Sequence, residues 1–357
     1  MIPRKYNLLL LFLLVAGVPQ TLQAQSVEPG RKPPVLRSGG TYSGNRQPSD
    51  SAAETDDSKT AAIPRISSTM VTVPAVVMDR NGRYIANLHK EDFQIFEDGV
   101  EQKLAAFASV EKPFTVALML DVSGSTKYQL EQITQAANTF LGRLRYNDQL
   151  MAVTFDGQVH VLTEAASVSA VRRMALKIPG QTEGTVLYDA VAFTLKRMQQ
   201  LPGRKAIVLM TDGVDQSSVA ATLESTVAEM TEQDIIVYTV RYNTLPELPQ
   251  RLSFIKNEKA RRKVQERLMK GYAVSEPYLR ALAEKTGGRF YKADDLREVG
   301  PAFEAITAEL GVQYSLGYYP VEKSGDGERS IRVKVRFPNM VVRARDSYAT
   351  APAIAAK

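Results

Sequence analysis

The sequence predicts an α/β domain with a mostly parallel sheet and helices on both faces, set between two β-rich segments that pack together as a β-sandwich. Three observations carry this. Near-continuous apolar runs recur at 114–120, 150–155, 206–210 and 235–240, as strands buried on both faces require. Helical apolar spacing alternates with those runs. The texture before residue 113 and after residue 312 is short strands and turn residues instead.

The elements follow in order. Arg4 and Lys5 precede an apolar run, Leu8 to Val18, and Leu22-Gln23-Ala24 offers residues a signal peptidase reads. Residues 1–24 therefore predict a secretory signal peptide cleaved after Ala24. The alternative is an uncleaved anchor, for which the run is short of the roughly 20 residues a bilayer span needs. No later segment is long and apolar enough to span, so the mature chain is expected to be exported: periplasmic, on the outer surface or secreted. Residues 25–67 are rich in Ser, Gly, Pro, Thr and charge and predict a disordered linker. Residues 351–357 predict a disordered tail.

Val71 to Met78 reads as a strand, closed by the turn residues Asp79-Arg80-Asn81-Gly82. Phe93, Ile95 and Phe96 lie in a second strand that ends at Glu97-Asp98-Gly99, and Leu104 to Val110 is a third. After Gly311, strands are expected at 314–319, 331–337 and 341–344, with a polar turn at 322–329. Neither β segment makes a good core alone, so 68–112 and 313–350 are expected to form one sandwich with 113–312 inserted between them. Within that insert, Leu130, Ile133, Ala137, Phe140, Leu141 and Leu144 mark a helix, and further helices are expected at 186–198, 219–230, 278–285 and 303–310. The segment 245–275 breaks the alternation and reads as a charged helical insertion, either a solvated helix or a basic docking surface.

Composition excludes several chemistries. The chain has no cysteine, so disulfides, thiolate metal sites, thiol nucleophiles and lipid attachment at a cysteine are excluded. It has two histidines, His89 and His160, so a histidine-rich zinc site or a Ser-His-Asp triad would have to use one of them, and His89 has no evident acid partner. Its net charge of +6, from 45 basic against 39 acidic residues, is scattered and small, which argues against nucleic acid.

The chemistry lies in three loops. Asp121-Val122-Ser123-Gly124-Ser125 begins where the first buried strand ends, the place where open α/β sheets hold ligands. Asp121, Ser123 and Ser125 alternate, so a tight loop turns all three toward one point. Thr185 stands just before a helix, where its hydroxyl could cap the helix or ligate a metal. Asp212, in Thr211-Asp212-Gly213, follows the strand at 206–210. Oxygen donors of this kind suit a hard cation such as Mg²⁺. Taken singly, each residue is equally well a turn or cap residue. Asp189 reads as a structural hydrogen-bonding residue, Asp156 and Asp215 as surface loop acids, and His160 as structural in an edge strand, 159–162.

These motifs resemble the von Willebrand factor A domains. Asp121-Val-Ser123-Gly-Ser125 matches the D-x-S-x-S motif of their metal-ion-dependent adhesion site. Gly184-Thr185 and Thr211-Asp212-Gly213 match the second and third metal loops in order, and Thr286-Gly287-Gly288 the turn before the last strand. The flanks, Glu97-Asp98-Gly99 and Gln313 to Pro320 among them, resemble the exported VWFA-related Acidobacterial domain proteins. The resemblance implies a Rossmann-like fold and one divalent cation, Mg²⁺ or alternatively Mn²⁺ or Ca²⁺. By resemblance, Ser123 and Ser125 ligate directly, Thr185 directly or through water, and Asp121 and Asp212 mainly through waters. One coordination position is left for a partner protein's acidic residue, so the implied function is a non-enzymatic adhesion-type module. Two other readings stand beside it. A metal-dependent phosphatase-like hydrolase also places Asp after a first buried strand, but it needs a second Asp where this chain has Ser123. A structural envelope protein would carry the same loops as a vestige.

Overall fold

The computed structural model describes residues 70–109, 112–124, 130–178, 182–294, 296–321 and 327–349, all within one compact unit, 62–357. The expected signal peptide, linker and tail lie outside the described residues.

Two four-stranded antiparallel sheets come from the flanks. One has the order β13-β1-β11-β4 and the other β14-β12-β2-β3. The strands are β1 (Val71–Asp79), β2 (Phe93–Glu97), β3 (Val100–Gln102), β4 (Leu104–Ala108), β11 (Tyr314–Tyr318), β12 (Glu328–Val335), β13 (Met340–Ala344) and β14 (Ser347–Ala349). Strand β1 pairs with β11 and β13, and β2 with β12. Each sheet therefore mixes residues from before and after the α/β block. Val73, Val77, Phe93, Ile95, Tyr314, Leu316 and Tyr318 form one shared core, the sandwich that neither segment could bury alone. Inside it Glu97, 1% exposed, accepts from Tyr318 Oη (2.7 Å), Tyr348 Oη (2.9 Å) and Arg329 Nη1 (3.0 Å).

The six-stranded sheet has the order β10-β9-β8-β5-β6-β7. Its strands are β5 (Phe114–Asp121), β6 (Gln149–Phe155), β7 (Val159–Ser167), β8 (Arg204–Thr211), β9 (Ile235–Tyr242) and β10 (Phe290–Ala293). All pairings are parallel except the edge strand β7, which runs antiparallel to β6. Every residue of β5 and β8 is buried, because helices cover both faces. Alternation sorts the side chains of β5. Val116, Leu118 and Leu120 face a core with Phe140 of α1 (Leu130–Arg143) and Phe303 of α7 (Val299–Leu310). Ala117 and Met119 face the opposite core, with Leu187 and Val191 of α3 (Leu187–Gln199), Met230 of α4 (Leu223–Thr231) and Leu279 of α6 (Glu258–Lys285). Two short helices, α2 (Val168–Met174) and α5 (Leu248–Ser253), complete the set.

Three helices differ from expectation, α7 by beginning at Val299 rather than at Phe303. The charged segment at 256–270 and the helix expected at 278–285 are one 28-residue helix, α6, with Pro277 inside it. Its buried residues Leu268, Tyr272, Ser275, Tyr278, Leu279 and Leu282 keep a single apolar stripe through the proline. Its first half is anchored by Leu268 and Tyr272 in a satellite cluster with Val214, Leu248 and Leu252. Helix α4 begins at Leu223 rather than Val219. The amides of Val219, Ala220 and Ala221 donate instead to the Asp189 carboxylate (3.0, 3.0 and 2.7 Å), and Thr222 caps the helix.

The sandwich and the α/β block meet at α7. Glu309 is fully buried and accepts from Tyr238 Oη of β9 (2.6 Å), Tyr84 Oη (3.1 Å) and the Arg343 guanidinium of β13. Arg204 donates to the carbonyls of Lys112 (2.7 Å) and Leu310 (2.9 Å), so it grips both ends of the inserted block.

Candidate metal centre

Four of the five expected site residues are described, and all four are buried at the carboxyl edge of the six-stranded sheet. Asp121 ends β5, Ser123 lies two residues beyond it, Asp212 follows β8, and Thr185 lies just before α3. Their exposures are 0%, 1%, 3% and 1%. Ser125 lies outside the described residues.

Strand register brings the first and third loops together. Leu120 pairs with Met210, which sets Asp121 beside Thr211. Asp121 Oδ2 accepts from Thr211 Oγ1 (2.6 Å) and Oδ1 from the Ser123 amide (3.0 Å). Asp212 Oδ1 accepts from the Val214 amide (3.0 Å) and Oδ2 from Thr244 Oγ1 (2.7 Å), whose hydroxyl also meets Tyr272 Oη of α6 at 2.5 Å. Each carboxylate is thus aimed by neutral donors.

The second loop is tied to the third by backbone. The Thr185 carbonyl accepts from the amides of Gln216 (2.9 Å) and Ser217 (3.0 Å), and Thr185 Oγ1 accepts from Gln216 Nε2 (3.3 Å). The Val186 amide donates to the Asp156 carbonyl (2.8 Å). Asp156 itself corrects the sequence reading. It is fully buried, and its carboxylate accepts from the amides of Thr182 (2.7 Å) and Gln158 (2.9 Å). Burial opposes its charge, yet those hydrogen bonds hold its carboxyl below the usual range. An acid expected at the surface therefore braces the loop that carries Thr185. Gly157 beside it cannot carry a side chain, since a Cβ there would fall 2.1 Å from the Glu183 carbonyl oxygen.

The other assigned residues divide. Asp189 is the structural acceptor expected of it. Asp215 is half-buried and accepts from the Tyr188 amide (3.3 Å) and Ser218 Oγ (2.5 Å), so it caps α3 from a neighbouring loop. His160 lies on edge strand β7 with Nε2 3.4 Å from Asp156. His89 does meet an acid, Asp92 at 3.8 Å, but its side chain is 83% exposed.

Electrostatics define what the site attracts. Burial and then the Asp212 charge push the Asp121 carboxyl up to about 7, against the hydrogen bonds from Thr211 and Ser123. The same two carboxylates, after burial, raise the Tyr242 hydroxyl, whose Oη lies 3.4 Å from the Asp121 carbonyl oxygen. Two buried acids that repel each other are stabilised by a cation between them. Among the described residues no group of three or more His, Cys, Asp or Glu side chains gathers for a metal. The donors present are two carboxylates and the hydroxyls of Ser123, Thr185 and Thr211. That all-oxygen set fits Mg²⁺, Mn²⁺ or Ca²⁺ and not a soft metal.

Two contributors were absent from the sequence reading. Thr211 lay inside the recognised Thr-Asp-Gly run, where its alternation with Asp121 across paired strands was the available signal. Thr244 follows β9 in a stretch with no motif, and nothing local marks it.

The von Willebrand factor type A domain model matches residues 115–305, more than half of the chain. No curated protein matches. Among solved structures, a von Willebrand factor type A protein from Catenulispora acidiphila is 12% identical, with a TM-score of 0.44 and 72% of each chain covered. The vWF domain of the type V pili tip protein Mfa5 from Porphyromonas gingivalis is 11% identical (TM-score 0.40), covering 56% of this chain and 96% of that one. Manganese-loaded TRAP protein from Plasmodium vivax is 12% identical (TM-score 0.35), covering 71% and 98%.

Proposed function

The chain belongs to the von Willebrand factor type A domain family, and on that premise we propose that it is a non-enzymatic, exported, adhesion-type module that binds a partner protein through a divalent cation. Asp121, Ser123, Ser125, Thr185 and Asp212 hold the cation, Mg²⁺ first, with Mn²⁺ or Ca²⁺ as substitutes. The observation that carries this reading is the pair of buried, mutually repelling carboxylates, Asp121 and Asp212, set among hydroxyls at one edge of the sheet. When bound, the cation supplies an open coordination position for a carboxylate oxygen of the partner. Asp121 and Asp212 act mainly through waters, so the cation keeps positive character that draws the partner's carboxylate into its shell. Thr211 and Thr244 fix the rotamers of the two carboxylates and keep the site preorganised.

The test uses the purified chain immobilised and challenged with an extract of its own cells in Mg²⁺ or in EDTA. Retention of a protein in Mg²⁺, release by EDTA, and no retention by Asp121→Ala are expected. Equal retention by wild type and Asp121→Ala overturns the reading.

Export rests on residues 1–24. Among the described residues no helix is long and apolar enough to cross a membrane. N-terminal sequencing of the protein recovered outside the cytoplasm is expected to start at Gln25. A recovered chain that still begins at Met1 defeats the cleavage.

A further inference from the structure

Helix α6 carries a ridge that neither the core nor the cation site uses. Lys259, Lys263, Arg267, Lys270, Val274, Pro277, Ala281 and Lys285 follow one another at steps of three or four residues, so they line one face of the helix. The ridge is about 39 Å long at 1.5 Å per residue. Its two halves differ in chemistry. In the second half, Val274, Pro277 and Ala281 form one wall of an apolar groove of about 560 Å³, and Leu223, Val227 and Ala228 of α4 form the other. Val274 is 43% exposed there. In the first half, four exposed cations stand in line.

Two cations of α6 off the ridge are neutralised within the helix. Arg262, off the ridge, pairs with Glu258 at 2.7 Å, and Arg280 pairs with Glu276 at 2.8 Å. Among the described residues, none of Lys259, Lys263, Arg267 and Lys270 has a carboxylate within salt-bridge distance. Lys259, Lys263 and Arg267 follow one another at four-residue steps, where like charges destabilise a helix, while Lys270 stands four residues after Glu266. An anionic partner laid along the ridge removes that repulsion.

We propose that the α4–α6 groove and the basic ridge together form a docking track for an acidic amphipathic peptide segment of a partner protein. Its apolar residues enter the groove, and its carboxylates lie along Lys259, Lys263, Arg267 and Lys270. The site is separate from the cation and does not depend on it.

The probe is a labelled, helix-forming synthetic peptide with Leu and Ile at one end and Glu along the other. Its binding to the full chain is followed by anisotropy in EDTA, which silences the cation site. Saturable binding is expected, weakened about tenfold by Lys263→Glu with Arg267→Glu and about tenfold by Val274→Glu. All three positions are solvent-facing, so unchanged melting confirms that the variants fold. Equal affinity in these variants, or equal binding of a peptide with Lys in place of Glu, overturns the proposal. So does a dimer in sedimentation that Val274→Glu dissociates, because the groove then holds a second copy.

Discussion

Asp121→Ala protein is expected to melt at the same temperature with and without Mg²⁺, whereas the wild-type chain is stabilised by it. A ligand at a hundred times its dissociation constant contributes about 2.7 kcal/mol to a folded state that alone binds it. For a domain of this size that is roughly 5–10 °C. The substitution removes one of two charges that draw the cation and the acceptor that Thr211 and the Ser123 amide share. Without cation the variant is expected to stay folded, because deleting Asp121 also deletes its repulsion with Asp212. Asp121→Asn separates charge from shape. It keeps an oxygen for Thr211 but is expected to lose most of the Mg²⁺ response. Calorimetric scans at matched ionic strength decide the matter. A wild-type melting point indifferent to Mg²⁺, Mn²⁺ and Ca²⁺ would falsify the site.

The second large effect lies far from the loops. Glu309→Leu is expected to destabilise the chain by about 3–5 kcal/mol, the usual result of removing one partner from a buried ion pair. Glu309 is fully buried, and its loss strands the Arg343 guanidinium together with the hydroxyls of Tyr84 and Tyr238. Burial already lowers Arg343 from its ordinary value. Glu309→Gln keeps acceptor and volume and is expected to recover part of the loss. Urea denaturation followed at two probes, one in each β layer, measures it. A change below about 1 kcal/mol would show that the join contributes little.

Most of the architecture was legible because burial on both faces leaves a plain mark. The runs at 114–120 and 206–210 are apolar at nearly every position, as strands covered on both faces require, and their alternation with helical spacing marks the sheet as parallel. The sandwich was legible by a deficit, since two strand-rich flanks each lacked a core. What escaped depended on distant partners. Asp156 reads as a loop acid locally, and only the approach of Thr182 and Gln158 makes it a brace. Val219 to Ala221 extend a helical pattern, but their amides are taken by Asp189 thirty residues earlier in the chain. Pro277 marks a break by its own chemistry, yet the buried stripe continues through it and α6 is unbroken. The site followed the same division. Aspartates at strand ends are visible in a motif, whereas Thr244 and Tyr272, which orient Asp212, come from elements with no motif.

The entry and exit of the inserted block sit under a single guanidinium, that of Arg204. Tension applied across the described residues enters at β1 and leaves at β14, both in the sandwich. That load passes across paired β strands and around the α/β block rather than through it. Ala75 faces Ala344 and Asp79 faces Met340, so both loads arrive at the same end of the β1–β13 pair and peel it open bond by bond, and the loops bearing Asp121, Thr185 and Asp212 stay unstrained while the sandwich holds.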